Sequence, residues 1–155
     1  MDWEQDVRTV AKQLCGRTFC HYTGEGALYQ GLITETCGYS ALEGRRENLF
    51  HEAPGTIVLW PYRGRMITNI AAHEYEGSGL VEIRRVMQGD ELLGPLAFTA
   101  AFQLEGLDGV RIRKTGGGVY VAETPGLREQ GWRVADVLKK ESHPHHRVAH
   151  WLLEC

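Results

Sequence analysis

The sequence predicts an α+β fold: a single domain built on one curved, mostly antiparallel sheet, with a β-hairpin wedge and peripheral helices. Three observations point there. The 155 residues fit one domain able to bury roughly two-thirds of its unfolded surface. Most apolar runs are short, β-prone and separated by Gly- or Pro-bearing turns, and helical periodicity or a helix-opening Gly-Pro marks only a few segments. No repeat, linker or low-complexity segment divides residues 1–155.

In order, residues 2–15 read as an amphipathic helix capped by Asp2, with Trp3, Val7, Val10, Ala11 and Leu14 at helical spacing and Gly16 ending it. Thr18–Thr23 and Ala27–Tyr39 read as strands around a Gly24-Glu25-Gly26 turn. Residues 40–53 are polar and irregular. Thr56–Trp60 and Arg65–Ala72 form a hairpin through Pro61–Gly64, His73–Ser78 is a polar connection, and Leu80–Val86 is another strand. Gly94-Pro95 opens a helix running from Leu96 to about Leu104, apolar almost all round and so buried. Val110–Lys114 and Val119–Ala122 are short strands joined by Thr115–Gly118. Gly131–Lys140 suits a short helix, and Arg147–Leu153 fits a closing strand or a helix.

Composition is that of a globular protein, 43% hydrophobic and 24% charged. No run approaches the 18 apolar residues of a membrane span, and the acidic start lacks the order of a signal peptide, so the expected location is the cytosol, or the nucleoid in a bacterium. The four cysteines form no Cys-x-x-Cys pair and read as reduced thiols, mostly packed as small apolar groups. His143, His145, His146, His150 and Cys155 lack the spacing of a zinc site, and Gly116-Gly117-Gly118 lacks the lysine of a phosphate loop; no metal is expected. A formal charge of −3 tells against a generic nucleic-acid binder. Local patches remain: Arg63, Arg65, Arg84 and Arg85 in one region, Arg111, Arg113 and Lys114 in another.

The chemistry-bearing stretch is Gly31-Leu32-Ile33-Thr34-Glu35-Thr36-Cys37-Gly38-Tyr39. Strand periodicity puts Glu35, Cys37 and Tyr39 on one face. Glu35 is either a catalytic base or a surface carboxylate, and Cys37 is either a nucleophile or a buried thiol. Trp60 and Tyr62 flank a proline near a turn tip, where aromatics suit contact with a partner rather than packing. Alternation sends Arg84 and Arg85 to opposite faces, so one of them faces the groove. An acid and a ring beside an aromatic-tipped turn suit a protein that grips a flat, unpaired base.

The same residues resemble the alkyladenine (3-methyladenine) DNA glycosylases. Residues 31–39 are similar to that family's Gly-Arg-Ile-Val-Glu-Thr-Glu-Ala-Tyr strand. Further along, the likeness continues through Asn48-Leu49-Phe50, the run from Pro54 to Trp60, Tyr62 to Asn69, Val81 to Val86 and Glu91 to Pro95. Val10 to Gly16 also matches, so the likeness covers roughly residues 8 to 105. It implies a monomeric enzyme without cofactor or metal that flips a modified purine nucleotide from duplex DNA and hydrolyses its N-glycosidic bond. By position, Tyr39 would stack on the base with Trp60 as the opposite wall and Asn69 lining the pocket. Tyr62 or Arg63 would be the wedge, Arg65 would contact DNA, and Arg84 would hold a water or a phosphate. The family's catalytic glutamate falls at Cys37, which leaves Glu35, two residues away, as a substitute if the strand shifts or bulges. The family's stacking histidine is absent from its place, and His51 stands nearby. Two other readings stay open: a lesion-binding module that no longer hydrolyses, and a hydrolase of small nucleosides.

Overall fold

The computed structural model describes residues 1–40, 52–74, 77–113, 117–138 and 147–155. His51, Lys114, the segment 41–50 and the histidines at 143, 145 and 146 fall outside the described residues. The described residues form one curled antiparallel half-barrel sheet with two helices, an α+β domain.

Among the described residues nine strands run in chain order: β1 (Thr18–Tyr22), β2 (Leu28–Tyr39), β3 (Ile57–Tyr62), β4 (Arg65–Glu74), β5 (Gly77–Gln88), β6 (Glu91–Leu93), β7 (Gly118–Ala122), β8 (Arg133–Asp136) and β9 (Arg147–Glu154). Their spatial order is β3-β4-β5-β2-β1-β7, with β6 on β5 and with β9 joining β2 to β8. β2 is the spine. Its first half pairs with β1, its second half with β9, and β5 runs along its other edge. The helices are α1 (Val7–Leu14) and α2 (Pro95–Ala101).

Both helices pack on the same face of the sheet, because that face alternates as a continuous apolar surface. Val7, Val10, Ala11 and Leu14 of α1 are fully buried with Ile33, Ile57, Ile70, Val81, Ile83 and Val86 from the strands. Phe19, Phe98 and Phe102 close the α2 end, with ring centroids 5.1 Å apart for Phe19–Phe98 and 4.8 Å for Phe98–Phe102. Thr36 Oγ1 donates to the Ala11 carbonyl at 2.6 Å, which fixes α1 over β2. A Cβ on Gly31 would lie 2.5 Å from Val86 Cγ1, so only glycine permits this approach.

Several elements differ from the sequence expectation. The first helix begins at Val7, with Asp6 rather than Asp2 as its cap. The preceding residues are tied elsewhere, since the carbonyls of Trp3 and Gln5 accept the His73 backbone N–H. Where a polar connection was expected over 73–78, His73 and Glu74 belong to β4 and Gly77 and Ser78 to β5. Within the segment predicted as a helix over 131–140, Arg133–Asp136 is instead β8, drawn into extended form by pairing with β9. The second helix stops at Ala101, and of the strand expected over 110–114 the described residues 110–113 form isolated bridges at Arg111 and Arg113. Arg147–Leu153 is a strand. Among the described residues no helix is long and apolar enough to cross a membrane.

Candidate active site

The register places a second, polar face opposite the helices. Directly paired residues of antiparallel strands share a face. The row His150–Cys37–Glu82–Asn69–Val58 therefore crosses β9, β2, β5, β4 and β3 on one side of the sheet. The next row contains Tyr39, Leu80 and Ala71. Toward the hairpin, Trp60 pairs with Ile67 and Tyr62 with Arg65, also on this side.

Hydrophobic burial covers only Val58, Ala71 and Leu80 here. Beside them Glu35, Glu82, His150, Asn69 and Cys37 are buried, and several of these make polar contacts within the row. Glu35 is 7% exposed and Glu82 8%, with His150, Asn69 and Cys37 equally withdrawn. Charges this deep persist only when paired.

Glu35 stands where the ladder is irregular. Between the pairs Ile33↔Val86 and Glu35↔Arg85, β2 carries the extra residue Thr34. Between Glu35↔Arg85 and Thr36↔Ile83, β5 carries the extra residue Arg84. These two bulges overturn the expectation that only one of Arg84 and Arg85 faces the groove. Arg85 Nε lies 3.1 Å from Glu35 Oε1 and Arg84 Nε 3.7 Å from Glu35 Oε2. His150 Nε2 meets Oε2 at 2.6 Å, and because a carboxylate only accepts, the imidazole nitrogen is the donor. Both Glu35 oxygens are thus occupied.

Cys37 is fully buried, with Arg84 Nη1 3.7 Å from its sulfur. Burial pushes its thiol up from 9.0 to about 11, more than the nearby Arg84 and Arg147 charges pull it down. At neutral pH it is a protonated thiol, neither thiolate nucleophile nor base.

Tyr39 is half-buried. Its hydroxyl donates to Glu82 Oε1 at 2.9 Å and accepts from Arg147 Nη2 at 3.3 Å, with the Arg147 guanidinium 5.6 Å from the ring centre. Burial, with the Glu82 charge beside it, raises its phenol well above the usual range, so it remains a donor. Arg147 Nε is buried with no hydrogen-bond partner among the described residues. Asn69 Nδ2 donates to the Val58 carbonyl at 3.2 Å.

The hairpin tip is built differently from the rest of the sheet. Strands β3 and β4 continue to Tyr62 and Arg65, leaving a two-residue turn of Arg63 (φ 51°) and Gly64 (φ 76°). Positive φ at both centres is the twist-matched hairpin turn, usually Asn-Gly, and Arg63 holds the strained place. Tyr62 is 46% exposed, with the Arg63 guanidinium 5.3 Å from its ring centre. Trp60, two residues inward, is half-buried.

The structure thus brings together Glu35, Cys37, Tyr39, Asn69 and Arg84, with Trp60, Tyr62, Arg63 and Arg65 along one ribbon leading to them. His51 lies outside the described residues. Glu82, Arg147 and His150 were not singled out for this site from sequence. A carboxylate between the apolar residues Val81 and Ile83, two residues before Arg84, was the available signal for Glu82. For Arg147 and His150 the undecided helix-or-strand reading of the tail hid the parity. Among the described residues no three metal-ligating side chains converge. A broad groove runs elsewhere, between α1 and the segment around Gly126–Val134, lined by Lys12, Arg17 and Trp132. No protein-family model matches the chain, and no curated protein shows significant sequence similarity to it.

Proposed function

We propose that this protein is a DNA N-glycosylase that draws a modified purine nucleotide out of duplex DNA and hydrolyses its N-glycosidic bond. One observation carries the reading. A single sheet face runs without interruption from the exposed Tyr62 and Arg65 at the hairpin tip, through Trp60 and Asn69, to Glu82, Cys37 and Tyr39. From Arg65 to Asn69 is four residues, about 13 Å of strand. An intruding ring, stacking rings and a carboxylate are what base extrusion followed by hydrolysis requires, and here they share one surface. The resemblance in residues 31–39 and 54–95 supports the same chemistry. We place the enzyme in the cytoplasm, working as a monomer on DNA.

Tyr62 and Arg63 would occupy the gap left in the stack, and Tyr39 and Trp60 would hold the base. Arg84, bridging Cys37 and Glu35, would orient the water or a phosphate oxygen. A non-hydrolysing lesion binder is the second reading. It is favoured by the neutral thiol at Cys37 and by the occupied oxygens of Glu35.

The test is release of free base from duplexes carrying hypoxanthine, ethenoadenine or an alkylated purine, with binding followed on the same duplexes. Base release establishes the glycosylase. Tight, salt-sensitive binding without release establishes the lesion binder. Cleavage of free nucleosides without salt sensitivity would replace both with a nucleoside hydrolase.

A further inference from the structure

We infer that Glu82, not Glu35 or Cys37, is the carboxylate that takes the proton from the attacking water. The inference rests on the glycosylase reading and names its missing base. Three observations carry it.

Glu82 is the direct cross-strand partner of Cys37. Adjacent strands lie about 5 Å apart, so a carboxylate at Glu82 is displaced one strand sideways from the position Cys37 holds, and its longer side chain can span that offset. It also pairs with Asn69 on its other side, so it stands in the middle of the polar row.

Second, the two carboxylates differ in what surrounds them. Glu35 has His150 and Arg84 at one oxygen and Arg85 at the other, so neither oxygen is left open to a water. Glu82 accepts one hydrogen bond, from the Tyr39 hydroxyl to Oε1. Its Oε2 has no hydrogen-bond partner among the described residues. A base needs such an open oxygen within reach of water.

Third, the donor that orients Glu82 is itself on the ring assigned to the base. Tyr39 would place the purine and the carboxylate in one geometry, because one side chain touches both. Cys37, directly opposite Glu82, keeps its thiol protonated at neutral pH and so does not compete for the water's proton.

In the step proposed, the water oxygen bonds to C1′ of the extruded nucleotide as the bond from C1′ to the purine ring nitrogen breaks. The bonding electron pair leaves with the purine, which takes a proton from solvent unless it is already cationic. The water's proton passes to Glu82 and then to solvent. The products are free base and an abasic sugar bearing a hydroxyl at C1′.

The experiment is single-turnover base release by the full chain on the best duplex found for the wild type, with duplex affinity and folding measured alongside. Glu82→Gln should lower the rate about 10²- to 10⁴-fold, the usual worth of a general base, with duplex affinity within about threefold. Glu35→Gln should lose less than about tenfold, in step with any loss of folded protein. Glu82→Ala should regain part of its rate with added formate, which a purely structural defect would not. Retention of rate in Glu82→Gln, a larger loss in Glu35→Gln than in Glu82→Gln, or no rescue by formate would overturn the assignment while leaving the glycosylase reading intact. If the wild type releases no base from any duplex, the reading itself fails and the assignment with it.

Discussion

Arg63 and Cys37 show how single side chains trade stability against use. Arg63 has a left-handed backbone in a turn that favours asparagine, at a cost of about 1 kcal/mol for a longer L-residue. Arg63→Asn should therefore raise stability by up to about 1 kcal/mol in denaturant titration while weakening duplex binding. A variant that lost stability, or bound DNA as well as wild type, would remove the case for a wedge. Cys37 makes a prediction in pH. Its thiol, and that of Cys15 at about 12, are raised from 9.0 by burial, so the folded state keeps protons that the unfolded chain releases. The folded state binds more protons than the unfolded between about pH 9 and 11, hence stability must fall as pH rises through that window. The same burial predicts that at pH 7.5 a thiol reagent modifies one cysteine in the native protein, the exposed Cys155, and all four after denaturation. A second native thiol reacting as fast would contradict it.

At the level of elements, β2 and α1 set the frame and their ends can be tested separately. Asp6 caps α1 through the Thr9 backbone N–H at 2.9 Å, and that bond holds its carboxyl below 3.8. Asp6→Ala should cost about 1 kcal/mol, typical of a lost cap. Because the folded-state value is depressed, the cap's contribution is full above pH 4 and disappears as pH falls through the lowered value; the variant and wild type should converge in stability at acid pH. This cap also shows where sequence reading stopped short. The helical spacing of Val7, Val10, Ala11 and Leu14 was legible, but Asp2 and Asp6 are both plausible caps. Only the tether of Trp3 and Gln5 to His73, seventy residues away, decides between them. The same holds elsewhere. The alternation in β2, the hairpin and the buried strands could be read because each is set by local periodicity. β8 could not, since its extended form comes from pairing with β9 rather than from its own composition. At the site, alternation correctly grouped Glu35, Cys37 and Tyr39. It misplaced Arg84 against Arg85 because two bulges shift parity, and bulges have no period to read.

Across the whole molecule, the question is how a chain of net charge −3 would hold a polyanion. The polar face gives one answer by separating its charges. Glu35 and Glu82 are buried and offset by Arg84, Arg85 and the Tyr39 hydroxyl, so little of their field reaches a duplex lying on the hairpin. Arg63 and Arg65 at the tip are exposed and form no salt bridge among the described residues, so they are available to phosphates. Two to three phosphate contacts would give a log–log salt slope of about −2 to −3, far shallower than for a strongly basic binder. Binding should accordingly be weak on undamaged DNA and depend mainly on what the extruded base gains from Tyr39 and Trp60, about 1–3 kcal/mol per stacked face. The check is a salt titration of duplex affinity for wild type and for Arg63→Gln/Arg65→Gln. The double variant should flatten the slope by about 2 while keeping its preference for the damaged duplex. A slope near −6, or one that the double variant leaves unchanged, would mean that the phosphates are held by another surface and that the polar face does not meet DNA through this hairpin.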